Sequence, residues 1–131
     1  MISGVLAPRD LPAAFNAKVK EYLGLDVPSD DLGCLQDVHW TGMFGYFPSY
    51  ALGSAYGAQI LHTMEKDFDV QAALAAGELS RVLDWLRERV FAKASLLTPD
   101  QWIRDITGEG LDPDYYLDYL EHKYKELYDL A

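Results

Sequence analysis

Apolar residues recur along this chain at the spacing of a helix and seldom at the alternation of a strand. Leu79, Val82, Leu83, Leu86 and Val90 fall on one stripe, with Trp85 beside it. A period of 3.6 residues puts one side of a helix against a core and leaves no strand face to pair. The same period runs through Phe15, Val19, Tyr22 and Leu23, and through Tyr116, Leu117, Leu120, Tyr124, Leu127 and Tyr128. Packing is the expected use of the tyrosines in that last stripe. Proline and glycine occur singly, as helix punctuation. Asp10-Leu11-Pro12 reads as a helix start with Asp10 as N-cap, and Gly24 as its stop. Thr98-Pro99-Asp100-Gln101 is a capping box whose helix carries Trp102, Ile103 and Ile106 and ends at Gly108. Asp112-Pro113 opens the last helix.

The pattern predicts an all-α fold of about six helices, forming a single helical domain over residues 1–131. Pro48 opens a long helix from Ser49 to about Asp67, and Val70 to Ala76 is a short one ended by Gly77. Glycine inside a helix costs ~1 kcal/mol relative to alanine. Gly53 and Gly57 on the long helix therefore predict close backbone approach to a neighbouring element and a central place for that helix.

The formal net charge of −10 argues against nucleic acid and against an anionic membrane surface as partners. No apolar run approaches the ~18 residues of a bilayer span, and no charged-then-apolar signal segment opens the chain. Cys34 is the single cysteine, so no internal disulfide can form. A cytoplasmic setting is the expectation. Cys34 reads as a passive small residue; a thiol nucleophile with His39 as base is the alternative. The apolar, uncapped start Met1-Ile2-Ser3-Gly4-Val5-Leu6 reads as the tail of a longer element.

The chemistry concentrates in Gly33-Cys34-Leu35-Gln36-Asp37-Val38-His39-Trp40 and the aromatic run Phe44-Gly45-Tyr46-Phe47-Pro48-Ser49-Tyr50. If the first run is helical, Gln36 and His39 share a face; if it is extended, Asp37 and His39 point the same way. An imidazole can donate to a developing oxyanion, and a carboxylate can orient that imidazole or hold an arginine. Tyr46 and Tyr50 carry phenols that can do the same work, and Gly42 and Gly45 allow unusual backbone geometry around Phe44. Metal binding by this chain alone has little to stand on. His62 and Glu65 stand at i, i+3, no second such pair faces them, and His122 lies on the charged side of the last helix.

The string G-x-x-Q-D-x-H-W, filled by Gly33, Gln36, Asp37, His39 and Trp40, resembles a signature of the carboxypeptidase Taq family of zinc metallocarboxypeptidases. Phe44 to Gly53 is similar to that family's F-G-Y-F-P-T/S-Y-x-L-G segment, with Ser54 where asparagine is frequent. The likeness runs from about Leu6 to Tyr128. It implies the C-terminal, substrate-cleft part of a larger helical, zincin-like peptidase, usually a homodimer, that removes single residues from peptide C-termini with a metal-activated water. The metal ligands, an H-E-x-x-H motif and a later glutamate, precede the region matched and are absent from it. The missing N-terminal half would therefore supply zinc or another divalent metal, and this chain alone would be inactive. Residue by residue, the resemblance puts Gln36, Asp37 and His39 at the closed end of the cleft. His39, Tyr46 and Tyr50 would lie against the tetrahedral intermediate. The competing expectation is a non-enzymatic helical interaction or dimerisation module built on the aromatic last helix.

Overall fold

The computed structural model describes residues 1–40, 42–93 and 95–130, all helix, turn or loop, with no strand among them. Six α-helices follow in order: α1 (Leu11–Leu23), α2 (Pro48–Glu65), α3 (Val70–Ala75), α4 (Leu79–Arg89), α5 (Pro99–Thr107) and α6 (Asp114–Tyr128). The chain divides into two compact units, one over Met1–Phe47 and one from Pro48 onward.

In the first unit α1 ends as its sequence demands, with Gly24 at φ 70° in the left-handed region. Its start differs from expectation. Asp10 closes a 3-10 turn over Pro8–Asp10, its backbone is already helical (φ −93°, ψ −3°), and its side chain makes no capping bond. A capping side chain needs an extended backbone at that position, which the preceding turn removes. α1 lies against the 3-10 turn Cys34–Gln36. Gly33, at the entry to that turn, is closely covered: a Cβ there would stand 2.7 Å from Val27 Cγ1 and 3.1 Å from Asn16 Oδ1, so any side chain would have to displace them. Cys34 is sealed, at 1% exposure, as a passive core residue.

The second unit is organised around α2, which lies against both α5 and α6. Ile60 and Met64 of α2 join Val70, Trp85, Ile103 and Ile106 in the core. Gln59, fully buried, fixes the register. Its Nε2 donates to the Gly110 carbonyl (2.9 Å) and to Thr107 Oγ1 (3.2 Å), and its Oε1 accepts from the Asp112 amide (3.0 Å). One side chain thus satisfies the backbone of the α5–α6 turn, which has no helical partners of its own. Thr98 and Gln101 form the predicted capping box, Gly108 closes α5 at φ 89°, and Asp69 caps α3 by accepting from the Ala72 amide at 2.8 Å.

Three expectations are corrected here. Trp85, expected beside the α4 stripe, is the buried residue of that helix, while Leu79 and Leu83 are exposed. Its indole N–H donates to Asp67 Oδ2 at 2.7 Å, so the large ring can turn inward without stranding a donor. Gly53 and Gly57 approach nothing: a Cβ on either would meet no atom within 4 Å among the described residues. Finally, α6 buries no residue fully, and Leu117, Tyr124, Leu127 and Tyr128 are exposed. Tyr124 and Tyr128 stack on each other at 5.8 Å, while Tyr116 and Leu120 of the same stripe are half-buried, so packing holds for the first part of the stripe only.

Replacing Gln59 with leucine keeps the bulk and strands the Asp112 amide and the Gly110 carbonyl. At ~1–3 kcal/mol for each buried group left unmade, Gln59→Leu should destabilise the chain by about 2–6 kcal/mol. Urea denaturation measures this, and Thr107→Ser, which keeps the hydroxyl, should change stability far less.

Candidate active-site segment

The Gln36–Trp40 run is neither one helix nor one strand. Two 3-10 turns, Cys34–Gln36 and Val38–Trp40, meet at Asp37, whose backbone is extended (φ −100°, ψ 113°). Of the two arrangements the sequence left open, the extended break sets the outcome: Asp37 and His39 come together and Gln36 turns away. The Gln36 amide donates to the carbonyl of Asp31 and the residue is exposed.

Asp37 Oδ1 accepts twice from the same residue. The His39 backbone N–H donates at 2.9 Å, and His39 Nδ1 lies at 2.6 Å. The first bond closes an Asx turn, the local structure that an aspartate two residues upstream favours. The second fixes the ring. An ionised carboxylate only accepts, so Nδ1 carries the proton. Both side chains are about one-fifth exposed (21% for His39, 22% for Asp37), shielded but not sealed. The His39 backbone amide, then its ring, hold the Asp37 carboxyl below the usual carboxylate range, against a smaller opposing effect of burial.

The aromatic run folds back over this pair. Met43 (φ 57°) and Gly45 (φ 85°) both take the left-handed region, and the Tyr46 amide donates to the Met43 carbonyl at 2.9 Å. The glycine adopts that conformation freely; the methionine does so at a cost of ~1–2 kcal/mol. The tight turn stacks the Tyr46 ring on the His39 imidazole (5.8 Å, 15° between planes) and sets Phe47 against it (5.1 Å, 39°). Trp40 packs on Phe44 at 6.0 Å. Tyr50 belongs to the second unit, in the first turn of α2, and is 59% exposed.

The sequence pairs His62 with Glu65 and sets His122 apart, yet all three line one cavity of about 750 Å³ between α2 and α6. His62 lies 4.7 Å from the ring of Tyr115, whose hydroxyl donates to Glu109 at 2.6 Å. That bond raises the Tyr115 pKa. The contact joins α2 to α6, a pairing that no local spacing reveals. Among the described residues no three His, Cys, Asp or Glu side chains are placed to hold a metal ion, so the residues present do not fit the zinc that the resemblance implies. No helix of the described residues is long and apolar enough to cross a membrane.

Residues 1–124 match the family profile described as carboxypeptidase Taq (M32) metallopeptidase. Carboxypeptidase 1 of Bacillus subtilis (strain 168) is 43% identical over 130 residues, which are 98% of this chain and 26% of that protein. The crystal structure of an M32 carboxypeptidase from Deinococcus radiodurans R1 is similar at a TM-score of 0.90 and 40% identity, over 98% of this chain and 26% of its own. Trypanosoma cruzi metallocarboxypeptidase 1 matches at a TM-score of 0.90 and 38% identity, over 95% of this chain and 26% of its own. The chain thus spans about a quarter (26%) of the length of these relatives.

A depressed carboxyl pKa has a definite sign. The unfolded chain takes up the proton first, so stability rises with pH between the native and unfolded pKa values. The Asp37–His39 contribution is therefore fully present above the ordinary carboxyl value of ~3.9 and is lost as pH falls through the lower native value. Protection of the His39 amide against hydrogen exchange should differ between the wild type and Asp37→Asn above about pH 4 and converge in stronger acid.

Proposed function

Because the chain belongs to the carboxypeptidase Taq (M32) metallopeptidase family, we propose that it forms the C-terminal, substrate-cleft portion of a zinc metallocarboxypeptidase. That enzyme would remove single residues from peptide C-termini. One observation carries the reading: an imidazole held by a carboxylate at 2.6 Å and flanked by Tyr46 and Phe47, within the stretch that bears the family's signature. Such a group is built to present one nitrogen in one direction.

The zinc, or another divalent metal, is held by polypeptide outside these 131 residues, and no part of its chemistry is assigned to this chain. What this chain contributes is substrate-side. His39, with Tyr46 or Tyr50, donates hydrogen bonds to the oxyanion that develops on the scissile carbonyl. The turn through Gln36 and Asp37 forms the closed end of the cleft, where the substrate's last residue rests. Donors fixed before the reaction stabilise charge without reorganising, which is why removing one typically costs ~10²–10³ in rate. A cytoplasmic setting belongs to the same reading, supported by a lone cysteine kept as a buried thiol.

A second reading has its own support. The exposed face of α6, with Leu117, Leu127 and Tyr128 each more than half accessible, suits a helical interaction or dimerisation module. Homo-oligomer formation is compatible with either reading; peptidase activity separates them.

Two outcomes are expected. The purified 131-residue chain releases no C-terminal residue from a peptide. The longer polypeptide that includes it does, and there His39→Gln lowers kcat by ~10²–10³. Peptide hydrolysis followed by amino-acid release measures both. Activity in the short chain, or an unchanged kcat for His39→Gln, would overturn the assignment.

A further inference from the structure

We propose that Asp37 is a positioning residue that fixes the His39 imidazole in its Nδ1–H form, so that Nε2 is the nitrogen turned to the reaction, and that Asp37 is not itself a ligand for the substrate. The inference rests on the proposed role of His39 for its catalytic meaning, though its structural content stands alone.

The argument begins with the carboxylate. Oδ1 of Asp37 holds both the backbone N–H and the ring Nδ1 of His39, at 2.9 and 2.6 Å. The shorter distance is that of a strong, charge-assisted bond. Gathering both donors on one oxygen couples the ring's direction to the backbone: the Asx turn cannot shift without swinging the imidazole. Tyr46 and Phe47 then limit rotation about the remaining side-chain torsion, one ring nearly parallel to the imidazole and the other tilted against it. The ring is thus restrained by a hydrogen bond in its plane and by contacts from other rings.

The chemistry follows from the tautomer. With Nδ1 committed as a donor, a neutral His39 carries its lone pair on Nε2. When the ring is protonated, Nε2–H becomes a donor and the charge is balanced by Asp37 across the existing bond. The depressed Asp37 carboxyl supports this arrangement, since it keeps the acceptor ionised. In that form Asp37 is the fixed counter-charge of the ring, and Nε2–H is the donor that would face the oxyanion.

Two measurements test the proposal. The first is nitrogen-15 NMR of the imidazoles of this chain, with His39 assigned by His39→Gln and read where the ring is neutral. The wild type should show Nδ1 as the protonated nitrogen. Asp37→Ala should move the ring to the Nε2–H form that free histidine prefers. Asp37→Asn, whose amide oxygen can accept the same two bonds, should retain Nδ1–H. The second is kinetics of the longer enzyme. Asp37→Ala should lower kcat at least ~10-fold with KM within about twofold of wild type, the pattern of an interaction used in the transition state. Asp37→Asn should fall between. A ring tautomer indifferent to Asp37→Ala overturns the proposal, as does a rise in KM at unchanged kcat, which would mark Asp37 as a substrate ligand. If the tautomer responds as expected while the longer polypeptide hydrolyses no peptide, positioning stands and the peptidase reading fails.

Discussion

The second unit depends on one buried amide. Gln59 is the rare polar side chain whose donors and acceptor are all used without water: two donor contacts to Thr107 and Gly110 and one accepted bond from Asp112. A helix–turn–helix leaves free carbonyls at one end and free amides at the other. Gln59 reaches into that turn and takes one of each, which fixes how α2 meets α5 and α6. The Thr107 hydroxyl also donates to the Ile103 carbonyl at 2.8 Å, so the last turn of α5 is tied to the same node. The hydrophobic core then has a defined shape to fill, with Ile103 wholly sealed and Ile106 nearly so. Apolar burial drives such a unit together without direction; the amide supplies the direction.

Local signals were legible in the sequence to the degree that their partners are also local. The capping box at Thr98, the glycine stops at Gly24 and Gly108, and the helix class of every long segment use residues within one turn of each other. Gln59 gave no such signal. Its partners lie 48 to 53 residues away, and a glutamine inside a helix reads as surface until its neighbours are known. Trp85 escapes local pattern for the same reason, because the partner of its buried indole N–H, Asp67, lies 18 residues upstream. Gly53 and Gly57 failed differently. Small residues on a helix permit close approach, but permission is not contact, and within these residues nothing approaches.

At the candidate site the order is reversed. Asp37, His39, Tyr46 and Phe47 lie within residues 37–47, and the D-x-H spacing already limited the outcome to two arrangements. The backbone decided between them, since an extended Asp37 between two 3-10 turns brings a carboxylate to a ring two residues on. Gln36 could not share that outcome. Gln36 ends the 3-10 turn before that break, and its amide returns to the Asp31 carbonyl instead. The stacking of Tyr46 was hidden because it needs a left-handed Met43, a conformation that sequence rules assign to glycine or asparagine.

Polar chemistry in this chain is therefore arranged on two scales, with different consequences. The core amide draws on long-range contacts and exists only when its unit is folded. The Asp37–His39 pair draws on an Asx turn and an aromatic turn next to it in sequence. A geometry encoded in eleven consecutive residues, 37–47, can keep its form wherever those residues are held as a compact segment. This suits a reactive group whose remaining partners come from elsewhere in a longer polypeptide. An imidazole already oriented has little conformational freedom left to lose when substrate arrives, so more of the binding energy is available to the transition state. Met43, left-handed at φ 57°, sits where the aromatic turn must close to bring Tyr46 onto the ring. A left-handed non-glycine residue persists only where its surroundings hold it. Here the stacked rings of His39 and Tyr46 and the bond from the Tyr46 amide to the Met43 carbonyl supply that restraint.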